Sequence, residues 1–187
     1  MFRDLLLQRV SAFCQLSPAQ LDQLEQHYEL MLRWNKAINL TRIDGVEEAV
    51  DRHYAESLFL GSKLPMGPLT IADVGSGDGF PGLPVAVLRP ECKITLIESH
   101  KRKAVFLKEA SRSCSNVTVI AQRAEEVTQV FDWVVSRAVS WEDLQKCTSN
   151  LAPKLALLGN CASPESFRLP WDVSRETCVS IVNAWPR

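Results

Sequence analysis

The sequence predicts an α/β fold: a mostly parallel sheet covered by helices on both faces, preceded by a helical extension. Three observations predict it. From Leu69 onward, apolar runs rich in β-branched residues alternate with helical stretches. A glycine-rich loop follows the first of those runs. Residues 1–62 carry helical periodicity alone.

The extension comes first. Phe2, Leu5, Leu6, Arg9, Val10 and Phe13 make one helical stripe. Ser17-Pro18 reads as a helix start, with Ser17 as N-cap, Pro18 at the first helical position and Gln20 completing a capping box. Leu21, Leu24, Tyr28, Met31 and Leu32 then form the buried face of a second helix, expected to run to about Trp34. A third helix is expected over Val46–Leu60.

Strands are expected at 69–74, 93–98, 117–121, 132–136 and 154–158, and helices near 82–88, 101–113, 124–130 and 141–151. Crossovers between such strands are right-handed. Residues 160–187 are few for two more strands. Val179–Ala184 reads as one of them, and the closing hairpin is expected to be truncated. The organisation read is an extension over 1–62 and a sheet domain over 63–187.

Composition narrows the class. The 21 basic and 22 acidic residues give a net charge of −1, so any nucleic-acid surface must be local. No apolar run approaches the ~20 residues of a membrane span, and the N-terminus does not read as a signal peptide. The six cysteines are scattered without a C-x-x-C pair. Reduced thiols, no metal site and a cytoplasmic location are expected.

The glycine loop is the richest feature. Residues 73–82 read DVGSGDGFPG. Gly75, Gly77 and Gly79 make G-x-G-x-G, the spacing of a methyl-donor loop. Gly77, Gly79 and Gly82 make G-x-G-x-x-G, the dinucleotide fingerprint. Glycines there let a ligand approach the backbone, and open α/β sheets bind ligands beyond the carboxyl ends of their strands.

Other strand ends add chemistry. Glu98 ends the second strand, where a carboxylate can accept hydrogen bonds from ribose hydroxyls. After the third strand, Ala124 and Glu125 are placed to border an adenine; Glu125 reads equally as a helix-start acid. After the fourth strand stands Arg137, able to hold a carboxylate, a phosphate or a guanine edge. A salt bridge from Arg137 to Asp73 or Glu98 is the structural alternative.

Several motifs recur together in this order: W-N-x-x-I-N-L-T at Trp34–Thr41, H-x-x-E-S-L at His53–Leu58, D-V-G-S-G-x-G-F-P-G-L-P at Asp73–Pro84, the run from Glu98-Ser99 to Phe106-Leu107, and Ser136-Arg137-Ala138. Together they resemble the RsmG family of small-subunit ribosomal RNA guanine-N7 methyltransferases, also called glucose-inhibited division protein B, over roughly residues 20–160. The resemblance implies a Rossmann-like class I S-adenosylmethionine-dependent methyltransferase, cytoplasmic, acting on a guanine of 16S ribosomal RNA in the small subunit or an assembly intermediate. A monomer is expected. The resemblance also implies that Gly75, Gly77, Gly79 and Phe80 line the S-adenosylmethionine pocket. By the same likeness Glu98 takes the ribose, Ala124 and Glu125 border the adenine, and Arg137 stands at methyl transfer. Asn39, Thr41 and His53 would close over the cleft from the substrate side. The fifth-strand region departs from the family pattern, with Ala152-Pro153-Lys154 where a Gly-Gly turn is typical and no lysine at 158.

Guanine N7 carries a free lone pair at neutral pH, so no general base is required and catalysis rests on positioning. RNA contact needs local basic surface. One cluster is His100 to Lys103, including Lys101 and Arg102, with Lys108 and Arg112; another is Arg33, Lys36, Arg42 and Arg52. Two other classes compete. A small Rossmann oxidoreductase would use the second glycine spacing, yet Tyr28 and Tyr54 are the chain's only tyrosines and both stand in the extension. A non-catalytic S-adenosylmethionine- or RNA-binding module is the other.

Overall fold

A computed structural model describes residues 1–43, 45–137, 139, 141–160, 165–171 and 177–183. The chain opens with α1 (Phe2–Val10) and α2 (Pro18–Ile38). The capping box forms: the Gln20 N–H donates to Ser17 Oγ at 3.3 Å and the Ser17 N–H to Gln20 Oε1 at 2.9 Å. Helix α2 passes the expected stop at Trp34 and ends at Asn39, which adopts the left-handed conformation (φ 51°). Asparagine tolerates that conformation at a helix C-terminus.

The third helical run is continuous but not uniform. It consists of α3 (Val46–Ala49), a π-helical segment (Val50–Ala55) and α4 (Glu56–Lys63). A π segment inside an α-helix shifts its facing side and recurs at functional sites. Here it buries His53 and Tyr54 together.

Strands β1 (Thr70–Val74), β2 (Lys93–Ile97), β3 (Val117–Ile120), β4 (Trp133–Arg137), β5 (Lys154–Asn160), β6 (Ser166–Arg168) and β7 (Thr177–Asn183) form a seven-stranded sheet ordered β3-β2-β1-β4-β5-β7-β6. The β3-β2, β2-β1, β1-β4 and β4-β5 pairings are parallel; β7 is antiparallel to both β5 and β6. The strand order reverses between β1 and β4, which opens a crevice at their carboxyl ends.

One core packs α1, α2, α4, α5 (Gly82–Leu88) and α6 (Lys101–Ala110) against a face of the sheet. It joins Phe2, Leu6 and Met31 of the extension to Ile71, Ile94 and Phe106 in one apolar cluster. The other face is covered by α7 (Trp141–Leu151) through Leu144, Cys147 and Leu151. Arg89 fastens the junction, donating to the carbonyls of Gly61, Pro65 and Gly67. Among the described residues no helix is long and apolar enough to cross a membrane.

Four expectations are corrected. The helix over 124–130 is a single 3₁₀ turn, Ala124–Glu126. Val127, Thr128 and Val130 are β-branched and resist continuing it. The sheet is not cut short: β7 pairs along the whole of β5, and the hairpin closes with a three-residue β6. The strand read over Val179–Ala184 begins earlier, at Thr177, and Ala184 lies outside the described residues. Cys178 is disulfide-bonded, against the expectation of reduced thiols, while Cys14, Cys92, Cys114 and Cys147 are free.

Candidate functional site

The loop after β1 reverses direction through three left-handed glycines: Gly75 (φ 73°), Gly77 (φ 56°) and Gly79 (φ 96°). A side chain at Gly75 would stand 2.7 Å from Val139 Cγ2, so this position must be bare. The loop is pinned from several sides. The Gly75 N–H donates to the Ile97 carbonyl at 3.0 Å and the Ser76 hydroxyl to the Asp73 carbonyl at 2.9 Å. The Gly77 N–H reaches Glu98 Oε2 at 2.9 Å, while Glu98 Oε1 accepts from the His100 N–H at 2.7 Å. The predicted ribose carboxylate is thus fixed on the glycine loop itself.

Gly82 is a packing glycine. A Cβ there would collide with Leu96 and stand 2.5 Å from Asp73 Oδ2. Its N–H donates to that same Oδ2 at 2.9 Å. Asp73 is fully buried, with Oδ1 lacking a partner, and burial pushes its pKa up to about 7. The third glycine of the dinucleotide spacing therefore serves the β1–α5–β2 contact.

Two cavities lie at the strand ends. The first, about 230 Å³, is lined by Gly75, Ile97, Glu98, Ala124, Glu125 and Val139, among others. Val74, Ile97 and Val139 give it an apolar wall and Glu98 a carboxylate at a strand end, a combination that suits a flat base and a ribose. The second, about 590 Å³, lies between the extension and the ends of β4, β5 and β7. Thr41, Arg42, Arg52, His53, Glu56 and Arg137 line it. Arg42 and Arg52 are exposed, and Arg137 stands further in. Such a rim of guanidinium groups suits a phosphate-bearing ligand.

Beside the larger cavity lies a buried polar knot. Arg137 Nη1 donates to the Arg52 carbonyl at 2.6 Å, and Nη2 lies 3.7 Å from Asp78 Oδ1. The ion-pair partner is Asp78, and not Asp73 or Glu98 as the alternative reading had it. The guanidinium also sits 5.2 Å above the Phe80 ring. His53 Nε2 is 3.0 Å from Thr41 Oγ1 and 3.6 Å from Asp78 Oδ2. Burial and the Arg137 cation push the His53 pKa far down, so this imidazole is neutral. His27 is neutral too: burial lowers its pKa to about 4. Its Nε2–H donates to the Asp78 carbonyl at 3.0 Å, which leaves Nδ1 to accept from the Tyr54 hydroxyl at 2.9 Å.

The structure gathers Gly75, Glu98, Ala124 and Glu125 around one cavity, and Thr41, His53 and Arg137 around the other. Gly77 and Gly79 shape the loop between them. Phe80 is 2% exposed and lines neither cavity; it stacks on His53 beneath Arg137. Asn39 caps α2, and Lys101 and Arg102 stand exposed at the start of α6; none of the three lines either cavity. The second basic cluster read from the sequence divides: Arg33 shares a surface depression with Arg112, whereas Arg42 and Arg52 share the cleft with Arg137. Asp78 and Glu56 went unassigned. Asp78 occupies a variable position of the glycine pattern, and its contacts reach 59 residues along the chain, where no local spacing reveals them.

A family model described as "GidB: rRNA small subunit methyltransferase G" matches residues 20–160. The ribosomal RNA small subunit methyltransferase G of Roseiflexus sp. (strain RS-1) is 33% identical over 181 residues, covering 92% of this chain and 76% of that protein. Its counterpart from Geobacter sp. (strain M21) is 40% identical over 132 residues, covering 67% of this chain and 60% of that protein. A SAM-dependent methyltransferase of known structure from Aquifex aeolicus superposes with a TM-score of 0.52 at 14% identity, over 72% of this chain and 79% of that one, a likeness of fold. The fold is that of the class I S-adenosylmethionine-dependent methyltransferases, and the chain belongs to the GidB family of small-subunit ribosomal RNA methyltransferases.

Proposed function

We propose that this chain transfers a methyl group from S-adenosylmethionine to N7 of a guanine in 16S ribosomal RNA. One observation supports the reading: the sheet's strand ends carry a cavity lined by Gly75 and Glu98 and a second, larger cleft lined by Arg42, Arg52 and Arg137. A nucleoside cofactor fits the first, and a nucleotide of an RNA chain fits the second.

The bound cofactor supplies an electrophilic methyl group. Guanine N7 would receive that methyl group on its free lone pair, so the chain's residues need move no proton. That suits a site whose buried imidazoles, His27 and His53, are both held neutral by burial. The chain's residues act by placement. Glu98 and Gly75 set the depth of the nucleoside, and Val74, Ile97 and Val139 give it apolar walls. Arg137 faces the guanine O6 or an adjoining phosphate. Arg42 and Arg52 hold the RNA backbone at the mouth.

The substrate in this reading is the small subunit or an assembly intermediate, met in the cytoplasm by a monomer. The net charge of −1 supports weak binding to naked RNA and a preference for a structured particle. The reading is tested with Arg137→Ala at saturating S-adenosylmethionine. Methyl incorporation into small subunits is expected to fall about 100-fold; near-full methylation would refute the role of Arg137.

A further inference from the structure

We infer that Asp78 is a positioning residue: its carboxylate fixes the Arg137 guanidinium where the glycine loop meets the arginine-edged cleft. The inference rests on the methyl-transfer reading above and assigns a residue that reading does not use.

Asp78 sits at the bend of the loop, its side chain 11% exposed. Four separate parts of the chain converge on it. Arg137 at the end of β4 lies 3.7 Å from Oδ1. His53 from the π segment lies 3.6 Å from Oδ2. The Thr41 hydroxyl, from the linker after α2, stands near the carboxylate and favours its charged form. His27 of α2 donates to the main-chain carbonyl at 3.0 Å. One residue thereby ties the extension, the cofactor loop and the catalytic strand together.

The guanidinium of Arg137 is held on three sides, by the Arg52 carbonyl, the Phe80 ring face and Asp78. The carbonyl and the ring are neutral, so they hold the group without fixing its charge axis. Among the described residues Asp78 is the acidic side chain paired with Arg137. His53 does not compete as a cation, because burial and the nearby guanidinium keep it neutral. Burial also raises the Asp78 pKa, and the Arg137 charge is the chief influence opposing that rise. A buried carboxylate retained at such a cost is more common at working sites than in plain cores. Released from Asp78, the guanidinium can swing toward the open cleft. A misplacement of about 1 Å at a reacting centre costs on the order of 100-fold in rate.

The test uses Asp78→Asn, Arg137→Ala and the double variant in the full chain. Each is measured for S-adenosylmethionine Kd by calorimetry, for kcat and KM on undermethylated small subunits, and for urea unfolding. The expected result is a kcat at least tenfold lower for Asp78→Asn, a Kd within about twofold of wild type, and no further loss when Asp78→Asn is added to Arg137→Ala. Asp78→Glu is expected to recover part of the rate by restoring the charge. A weakened cofactor Kd with kcat intact would make Asp78 a cofactor ligand and overturn the proposal. Additive losses in the double variant, or full activity in Asp78→Asn, would overturn it too. If the wild-type chain itself fails to methylate small subunits, the reading of function fails. The unfolding cycle then still decides the pair: coupling between positions 78 and 137 supports it, and strict additivity ends it.

Discussion

His53 and Phe80 stack face to face, with ring centroids 4.4 Å apart and planes 9° from parallel. The contact joins the π segment of the extension to the glycine loop. Tyr54 packs edge-on against the same ring at 4.9 Å, and His27 lies 5.1 Å away. Phe80 is thus the apolar pin of the loop. Phe80→Ala is expected to cost about 3–5 kcal/mol of stability, in the range for removing a buried aromatic ring. Urea denaturation checks this; a loss below about 1 kcal/mol would mean the ring is not clamped.

The glycines of the loop are not equivalent. Gly82→Ala drives a methyl group against Leu96 and Asp73, and is expected to cost about 1–3 kcal/mol by overpacking. Gly45, which has nothing within 4 Å of a built Cβ, serves as the control. Gly45→Ala is expected to change stability by less than about 0.5 kcal/mol. Paired thermal melts read both.

Two buried groups set opposing pH dependences. The folded-state pKa of His27 falls to about 4 against an ordinary 6.5. Its contribution is fully present above 6.5 and is lost as the pH falls toward 4, because the unfolded chain takes up the proton first. Asp73 behaves oppositely, with its pKa raised from 3.8 to about 7. Its contribution is greatest below about 4 and is lost as the pH rises through 7. Asp73→Asn keeps the acceptor for the Gly82 N–H and removes the charge. Relative to wild type, this variant is expected to gain stability steadily from pH 5 to 8. Unfolding at a series of pH values checks the sign; a difference that shrinks with rising pH would contradict the assignment.

The mouth of the larger cleft makes a prediction about salt. Arg42 and Arg52 are exposed there. Binding to small subunits is expected to weaken as salt rises, and Arg42→Ala with Arg52→Ala to lower the log–log slope by about 2. Filter binding between low and moderate salt measures it. An unchanged slope would move the RNA track elsewhere, with Lys101 and Arg102 as the next residues to vary.

Much of this was legible in the sequence because it is local. Period and capping residues reveal α2 from Ser17 and Gln20, and continuous apolar runs reveal β1, β2 and β4. The end of α2 was misplaced because a left-handed Asn39, and not a glycine or proline, stops it. The 124–130 segment failed because three acidic and apolar residues mimic a helix start that Val127 ends. That Gly75, Glu98 and Ala124 would line one cavity was readable, since they stand at successive strand ends. The centre of the site was not. Asp78, Arg137, His53 and Thr41 meet only after the π segment turns His53 inward and β4 aligns beside β1. Long-range polar contacts of this kind leave no trace in spacing.

The most direct test of the central claim is methyl transfer itself. Small ribosomal subunits lacking the modification are incubated with the purified chain and S-adenosylmethionine labelled in its methyl group. The account predicts label in 16S ribosomal RNA at one guanine, with the fragility to reduction and aniline cleavage that N7 methylation confers. It is contradicted if the chain binds S-adenosylmethionine yet leaves the RNA unlabelled, or if the label falls on another atom.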